Sequence, residues 1–296
     1  MKLGLLIETV ERLDWGRWRA IYRAAERLGF ESVWVSDHLA STWFAENHGL
    51  EPWIALTVAA AETHRLRLGP LVSPITFRQP ALVARMAEAI DDLSPGRFTL
   101  GLGLGWNVDE HARFGIPFPP LRARARLLAN GIECIRRVLH SRHIPLVIGG
   151  SGPGATLPLV ARYADEWNLT TPAVELYRER DQRLAELCTE IGRDPRTIRR
   201  SVAVGCLIGS DLADLDARAR RLQRLVPPLA HALQGREGLP AAAASLGWVA
   251  GTPPQIVAAL RPLADAGVEL AILGHYDHTD QAALELIASE VLPALQ

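Results

Sequence analysis

Apolar residues follow two rhythms along the chain. Short continuous runs at residues 3–7, 32–35, 65–71, 98–102, 145–148, 167–169, 201–208 and 270–273 read as buried strands. Between them apolar positions recur at helical spacing over 15–28, 52–63, 80–93, 121–140, 155–164 and 174–191, and a last helix closes the chain near Leu292. Gly29 and the Ser-Pro-Gly-Arg run at 94–97 stop two of these helices. Eight strands alternating with helices over 296 residues predict a (β/α)8 barrel of the TIM type. A doubly wound open sheet competes, but it usually carries a glycine cradle at its first turn, and IETVERLDW at 7–15 has none. Residues 211–252 exceed one barrel helix and read as a helical insertion before the last βα unit. No composition shift marks a linker, so 1–296 reads as a single domain.

A barrel gathers its chemistry at the C-terminal ends of the strands. Glu8, Asp37, His38, Leu71, Val72, Ser73, Leu104, Gly105, Gly149, Gly150, Thr170, His275 and Asp277 are therefore predicted on one rim. Ser36-Asp37-His38 is either a turn in which Asp37 caps backbone amides or part of a site in which His38 moves a proton. GPLVSPITFRQP after the third strand is either a rigid connector or a shaped backbone wall. In GLGLGWNVDEHARFGIPFPP, Gly101, Gly103 and Gly105 would let the backbone approach a flat ligand, although the spacing is not a dinucleotide fingerprint.

IGGSGPGATLPLVARYADEWN places glycines, Ser151 and Thr156 between the fifth strand and a helix. Amides and hydroxyls there could cradle a phosphate; a plain glycine-rich helix start is the alternative. The segment lacks the Gly-Lys pair of a P-loop and the spacing of a nucleophile elbow. His275-Tyr276-Asp277-His278 has metal-binding residue types, but no second histidine pair stands near the first strand, so a surface or substrate-contacting loop is expected, and no metal. Arginines at 122–126 and 218–224 alternate with apolar residues and read as solvated helix faces.

Charge narrows the partners. With 32 basic and 33 acidic residues, no strong field draws the chain to nucleic acid or a membrane, so a small-molecule substrate is expected. Lys2 is the only lysine, which excludes an internal Schiff-base lysine and a P-loop lysine. Cys134, Cys188 and Cys206 have no metal or redox spacing and read as small hydrophobes in a reducing compartment. The first apolar run is short and broken by Glu8, and no window has the apolar length of a membrane span; a cytoplasmic location is expected.

WVSDHL, the long block RLRLGPLVSPITFRQPALVARMAEAIDDLSPGRFTLGLGLGWNVDE, FGIPFP, PLVIGGSGPGATLPLVARYADEWN and GTPPQIVAAL together resemble the bacterial luciferase-like monooxygenase superfamily. Within it the pattern is most similar to the deazaflavin-dependent oxidoreductases, over nearly the whole chain. The resemblance implies a (β/α)8 barrel with an insertion region. It implies that Asp37 and His38 lie beside the reactive edge of a flavin-type ring, with His38 protonating or stabilising developing charge. Leu71 and Val72, followed by Ser73, match a bulge with a non-proline cis peptide behind the ring. Leu104, Gly105 and Asp109 match the loop that meets ring and ribityl chain, and Gly149, Gly150, Ser151 and Gly152 match the phosphate loop. Trp106 stands where some relatives place an acidic catalytic residue, so their sugar-phosphate substrate does not carry over.

The implied cofactor is coenzyme F420 (8-hydroxy-5-deazaflavin), a hydride carrier, with FMN in the same pocket as the alternative. Without a nearby lysine, its phosphate must be held by amides, hydroxyls and an arginine such as Arg78 or Arg162. A phosphate-binding barrel lyase, isomerase or hydrolase using Asp37, His38 and Glu8 is the alternative of another class, and a barrel that only binds ligand is a third. Trp43, Phe44, Trp53, Trp106 and the region of Trp248 could line an apolar pocket or simply fill core. The resemblance also allows a homodimer.

Overall fold

The computed structural model describes residues 1–41, 49–234 and 238–296, so Trp43 and Phe44 lie outside the described residues. Its parallel strands are β1 (Lys2–Ile7), β2 (Ser32–Val35), β3 (Arg67–Pro70), β4 (Ser73–Pro74), β5 (Leu100–Gly103), β6 (Leu146–Gly149), β7 (Glu166–Thr170), β8 (Arg199–Ile208), β9 (Trp248–Gly251) and β10 (Leu270–Gly274). Hydrogen bonding runs β3-β2-β1-β10-β8-β7-β6-β5-β4. The two ends of that path are halves of one stave. A parallel bridge between Leu68 and Phe98 joins β3 to the run into β5, so eight staves close into a barrel. The alternating pattern of the sequence predicted that closure.

Helices cover the outside: α1 (Trp15–Leu28), α2 (Pro52–Glu62), α3 (Pro80–Leu93), α4 (Val108–Arg113), α5 (Leu121–Leu139), α6 (Leu157–Tyr163), α7 (Val174–Glu190), α8 (Leu212–Gln223), α9 (Pro227–Gln234), α10 (Gly238–Ser245), α11 (Pro253–Asp265) and α12 (Gln281–Leu286). Local chemistry sets their ends. Asp14 accepts the Arg17 amide at the start of α1, and Gly29 ends it at φ +85°, a conformation that costs glycine nothing. The main core lies between sheet and helices, with Leu3, Leu5, Ile7, Trp18, Val204 and Leu273 buried in it. A smaller cluster of Trp34, Leu71, Val147, Ala203, Leu270 and Ile272 fills the barrel itself.

Two expectations about elements need correction. The third strand is not continuous over 65–71: it breaks into β3 and β4 around a cis Leu71–Val72 peptide. The insertion is not wholly helical. After α8, α9 and α10 it ends in β9, which pairs in parallel with β8 outside the eight-stave path. Four residues in an alanine-rich stretch give little periodicity to read. The loop after β5 also contains α4, whose start is capped by Asn107 accepting the Glu110 amide at 3.1 Å.

The bottom of the barrel is closed by charge. Glu31 accepts Arg67 Nη1 at 2.9 Å and both Nη atoms of Arg199 at 2.6 and 2.9 Å. Arg67 Nη2 reaches Glu166 at 3.2 Å. Burial alone would raise the Glu31 pKa, but hydrogen bonds from Arg199 and Arg67 take it below the usual carboxylate range. No helix among the described residues is long and apolar enough to cross a membrane.

Candidate active site at the barrel mouth

β2 delivers Ser36, Asp37 and His38 to the C-terminal face. His38 Nδ1 meets Glu110 Oε2 at 2.9 Å. A carboxylate only accepts, so Nδ1 carries the hydrogen, and Nε2 takes no partner among the described residues. Glu110 is itself pinned, Oε1 accepting the amides of Leu39 at 2.6 Å and Ala40 at 3.4 Å. The Trp106 ring stands edge-on to His38, with centroids 5.8 Å apart. Burial disfavours the His38 imidazolium, but the Glu110 hydrogen bond and the charges of Glu8, Glu110 and Asp37 outweigh it and raise its pKa. Glu110 is correspondingly held low: burial opposes, and the His38 contact and two amides prevail.

Glu110 is the residue that sequence reasoning missed. Asp109, its predicted neighbour, is exposed in the first turn of α4, while Glu110 is 5% exposed and turns inward. One signal was present: Asn107 followed by Glu110 has the spacing of a helix cap with an acid at its third position. Here the acid reaches across to the β2 loop rather than back to its own cap.

Asp37 sits deeper. Its Oδ2 accepts Trp53 Nε1 at 2.8 Å, Ser73 Oγ at 2.6 Å and Arg78 Nη1 at 2.5 Å, and its Oδ1 accepts Arg78 Nη2 at 3.1 Å. With its side chain fully buried, it ties β2, β4 and α2 together rather than facing the mouth. The Ser73 hydroxyl is turned to Asp37 in the same way. Arg78 also donates to Glu51 at 2.9 Å, so it is not a spare anion ligand as the sequence suggested. Arg162, the other candidate, lies in the last turn of α6, away from the loop that precedes that helix.

The glycines of β5 have a steric role within the fold itself. A Cβ on Gly103 would lie 2.4 Å from Val72 Cγ2, and one on Gly101 would lie 1.9 Å from the Pro70 oxygen. Gly149 faces the same valine, 3.0 Å from its Cγ1. These positions lack side chains so that the bulge at Leu71–Val72 can project across the barrel top. Leu104 and Gly105 follow at the rim, Gly105 with φ +76°.

The loop at Gly149, Gly150, Ser151 and Gly152 is folded on itself. Gly150, at φ +128°, donates to Asn168 O at 3.0 Å and accepts Trp167 Nε1 at 2.9 Å. The Gly152 oxygen accepts the amides of Ala155, Thr156 and Leu157 at 3.4, 2.9 and 3.0 Å. The amides that begin the helix are thus occupied. Among the described residues, those of Ser151, Gly152 and Gly154 and the Thr156 hydroxyl meet no partner. A Cβ at Gly150 or Gly152 would come to 3.3 Å from that hydroxyl. Unpaired donors around a backbone hollow fit an anionic oxygen group such as a phosphate.

Glu8 follows β1, and its Oε1 accepts Ser36 Oγ at 2.8 Å. Burial raises its pKa against the opposing effects of His38 and Ser36. Of the two expectations for the segment after β10, a surface loop is not what forms: His275, Asp277 and His278 are 6 to 7% exposed. Burial pushes the two imidazoles down, to about 4 for His275 and about 3 for His278. Asp277 pairs with Arg221 and accepts Thr279 Oγ1 at 2.6 Å. Among the described residues no three His, Cys, Asp or Glu side chains come together as a metal site. Arg218 and Arg221 are likewise not mere solvated arginines, since both bind Asp280. Arg124 is 8% exposed, its guanidinium 3.8 Å from the Phe118 ring centre.

The luciferase-like monooxygenase profile matches residues 1–270. The chain belongs to the luciferase-like monooxygenase family. That places it among oxidoreductases. It is 28% identical to an F420-dependent hydroxymycolic acid dehydrogenase of Mycobacterium tuberculosis, over 93% of this chain and 83% of the relative. It is 26% identical to an F420-dependent glucose-6-phosphate dehydrogenase of Kineococcus radiotolerans, over 92% and 90%. The coenzyme F420-dependent tetrahydromethanopterin reductase from Methanopyrus kandleri shares the fold at TM-score 0.80 and 20% identity, with both chains fully covered. A monooxygenase from Streptomyces bottropensis superposes equally, at TM-score 0.80 and 22% identity over both whole chains.

Proposed function

We propose that this family member is an F420-dependent oxidoreductase that moves a hydride between the coenzyme and a small organic substrate. The supporting observation is the Glu110–His38 pair: a buried carboxylate fixes one imidazole nitrogen and leaves the other to the mouth. The arrangement suits proton transfer coupled to hydride transfer. The relatives named F420-dependent over nine-tenths of this chain point the same way. When bound, coenzyme F420 supplies the two-electron hydride chemistry.

In this reading the amides of Ser151, Gly152 and Gly154, with the Thr156 hydroxyl, hold its phosphate. Leu71, Val72, Leu104 and Gly105 form the wall against its ring. His38 Nε2 gives a proton to, or takes one from, the substrate oxygen, while Glu110 stabilises the imidazolium. Asp37 and Ser73 act as positioning residues, because every Asp37 oxygen is already engaged. Flavin mononucleotide is the second reading, since the fold is shared as closely with the Streptomyces monooxygenase. We read 1–296 as one barrel domain that works as a homodimer: α2 is apolar but for Thr57 and Glu62, and Ile54 on its outer face is 56% exposed.

Titration of the purified protein with F420 and with flavin mononucleotide tests the assignment. Micromolar binding of F420 with a change in its fluorescence is expected. If neither coenzyme binds in that range, the reading fails.

A further inference from the structure

Outside the barrel wall, at the end away from the mouth, the core is left incomplete. β5 turns Gly101 and Gly103 into the barrel, so Leu100 and Leu102 face outward under α5. α5 presents Ile132, Ile135 and Leu139 to them, three positions that share one helix face. These side chains and Ile144 do not close on one another. They line a hollow of about 320 Å³ beside the end of α5 and the starts of β5 and β6. Protein interiors are packed so that few voids exceed one water. At about 30 Å³ for each water-sized group, this hollow has room for roughly ten heavy atoms. Apolar hollows of this size with a few polar groups at the edge are where small molecules bind.

The rim of the hollow is rich in donors. α5 is followed by a turn in which the Arg142 amide donates to Leu139 O at 3.0 Å. His140 takes the first central position of that turn at φ +56° and ψ −104°, where glycine is the ordinary occupant. A histidine held there costs conformational energy that glycine would not, and such strain gathers at functional sites. The side chains of His140 and His143 take no partner among the described residues. Arg136 donates Nη2 to Tyr163 O at 2.9 Å and meets no carboxylate among them. Arg142 is committed to Glu88 O and Asp92, which fastens the turn to α3. Among the described lining residues Asp165 is the one acceptor-only side chain, and its Oδ2 already holds the Leu146 amide at 2.8 Å. The end of α5 carries about half a negative charge, and the two arginines of its last turn, Arg136 and Arg137, exceed it. Arg136, His140, Ser141 and His143 can all donate, so the rim suits a head group that accepts several hydrogen bonds and bears negative charge.

We infer that this hollow is a second small-molecule site, separate from the mouth, for a monocarboxylate with an apolar body of about eight carbons. The body lies on Leu100, Ile132, Ile135 and Ile144, and the carboxylate meets Arg136 and His140. The site goes beyond the oxidoreductase reading and does not depend on it. Octanoate, octanol and octylamine share one chain and differ in head group, so they test it directly. Each is titrated near neutral pH into the full chain carrying labelled isoleucine methyls and followed by NMR. Octanoate should shift the signals of Ile132, Ile135 and Ile144 below roughly 1 mM and leave Ile272, inside the barrel, unmoved. It should bind at least roughly tenfold more tightly than octylamine. Arg136→Gln should weaken octanoate about fivefold and leave octanol within about twofold. His140→Gly suits the turn and should weaken octanoate at least roughly threefold. Absence of shifts at the three isoleucines of the unaltered chain overturns the inference. So does octylamine binding as tightly as octanoate, or octanoate affinity unchanged in both folded variants. Shifts confined to Ile272 would put the octanoate in the barrel and overturn it as well.

Discussion

The barrel holds two clusters of buried charge, one at each end, and they are built on opposite principles. At the bottom, Glu31 and Glu166 face Arg67 and Arg199, two anions against two cations. At the top, Glu8 and Glu110 face the single imidazole of His38. The bottom cluster matches carboxylates with arginines and fixes the strand starts, although Glu166 Oε1 is buried there without a partner among the described residues. The top cluster keeps His38 Nε2 and Glu8 Oε2 without a partner among the described residues. A barrel separates stability from chemistry by putting them at different ends of the strands, and here the separation is visible in how each end balances its charge.

That contrast can be broken experimentally. At the top, His38→Ala should lower turnover about 10²- to 10⁴-fold, the usual worth of a positioned proton donor. Coenzyme affinity, followed by fluorescence, should stay within about twofold, because removing a general acid leaves uniform binding intact. Unchanged turnover would sink the catalytic role. At the bottom, Glu31→Ala leaves Arg67 and Arg199 with Glu166 as their shared carboxylate and should cost about 3 kcal/mol in urea denaturation. Coenzyme binding should not change; a matching loss of affinity would show that the two ends are not independent.

The smallest effect is a titration. His38 has a folded pKa above its ordinary 6.5, so its stabilising contribution is complete below that value and is lost as pH rises through the folded pKa. Glu110 lies below its ordinary 4.5, so its contribution is present above 4.5 and is lost as pH falls through the folded value. The pair is thus worth most between about 4.5 and 6.5. Glu110→Gln should move the His38 titration, read by NMR of the ring protons, to lower pH. An unmoved midpoint would mean that Glu110 does not set the proton affinity of His38.

Much of this architecture could be read from the sequence, for physical reasons. The residues of β2 and both ends of α1 and α3 are where apolar period and cap chemistry put them, because those signals are local. The bottom cluster has no local signature, because Glu31 and Arg199 are 168 positions apart and each looks like an ordinary charge at a strand start. Gly101 and Gly103 are legible as special, but their causes, the Pro70 carbonyl and the Val72 side chain, lie some thirty residues away. Glu110 is not legible beside Asp109, because the sequence reads 103–120 as loop and so hides the register of α4. Contacts made by closure of the barrel leave no local trace.

The position of β9 bears on how such a protein can change. It hangs on β8 by four residues and is not one of the staves that close the barrel. The stretch from α8 to β9 is therefore an exchangeable cassette. Replacing it would swap Trp248, whose ring stacks on Tyr276 with centroids 4.5 Å apart, without disturbing any pairing that holds the cylinder shut. The β5 and β6 side has no such freedom, since Gly101, Gly103 and Gly149 lie on staves and are shaped around the Pro70–Val72 turn. Retargeting by selection or by design has its open door at the insertion, while the opposite wall stays fixed.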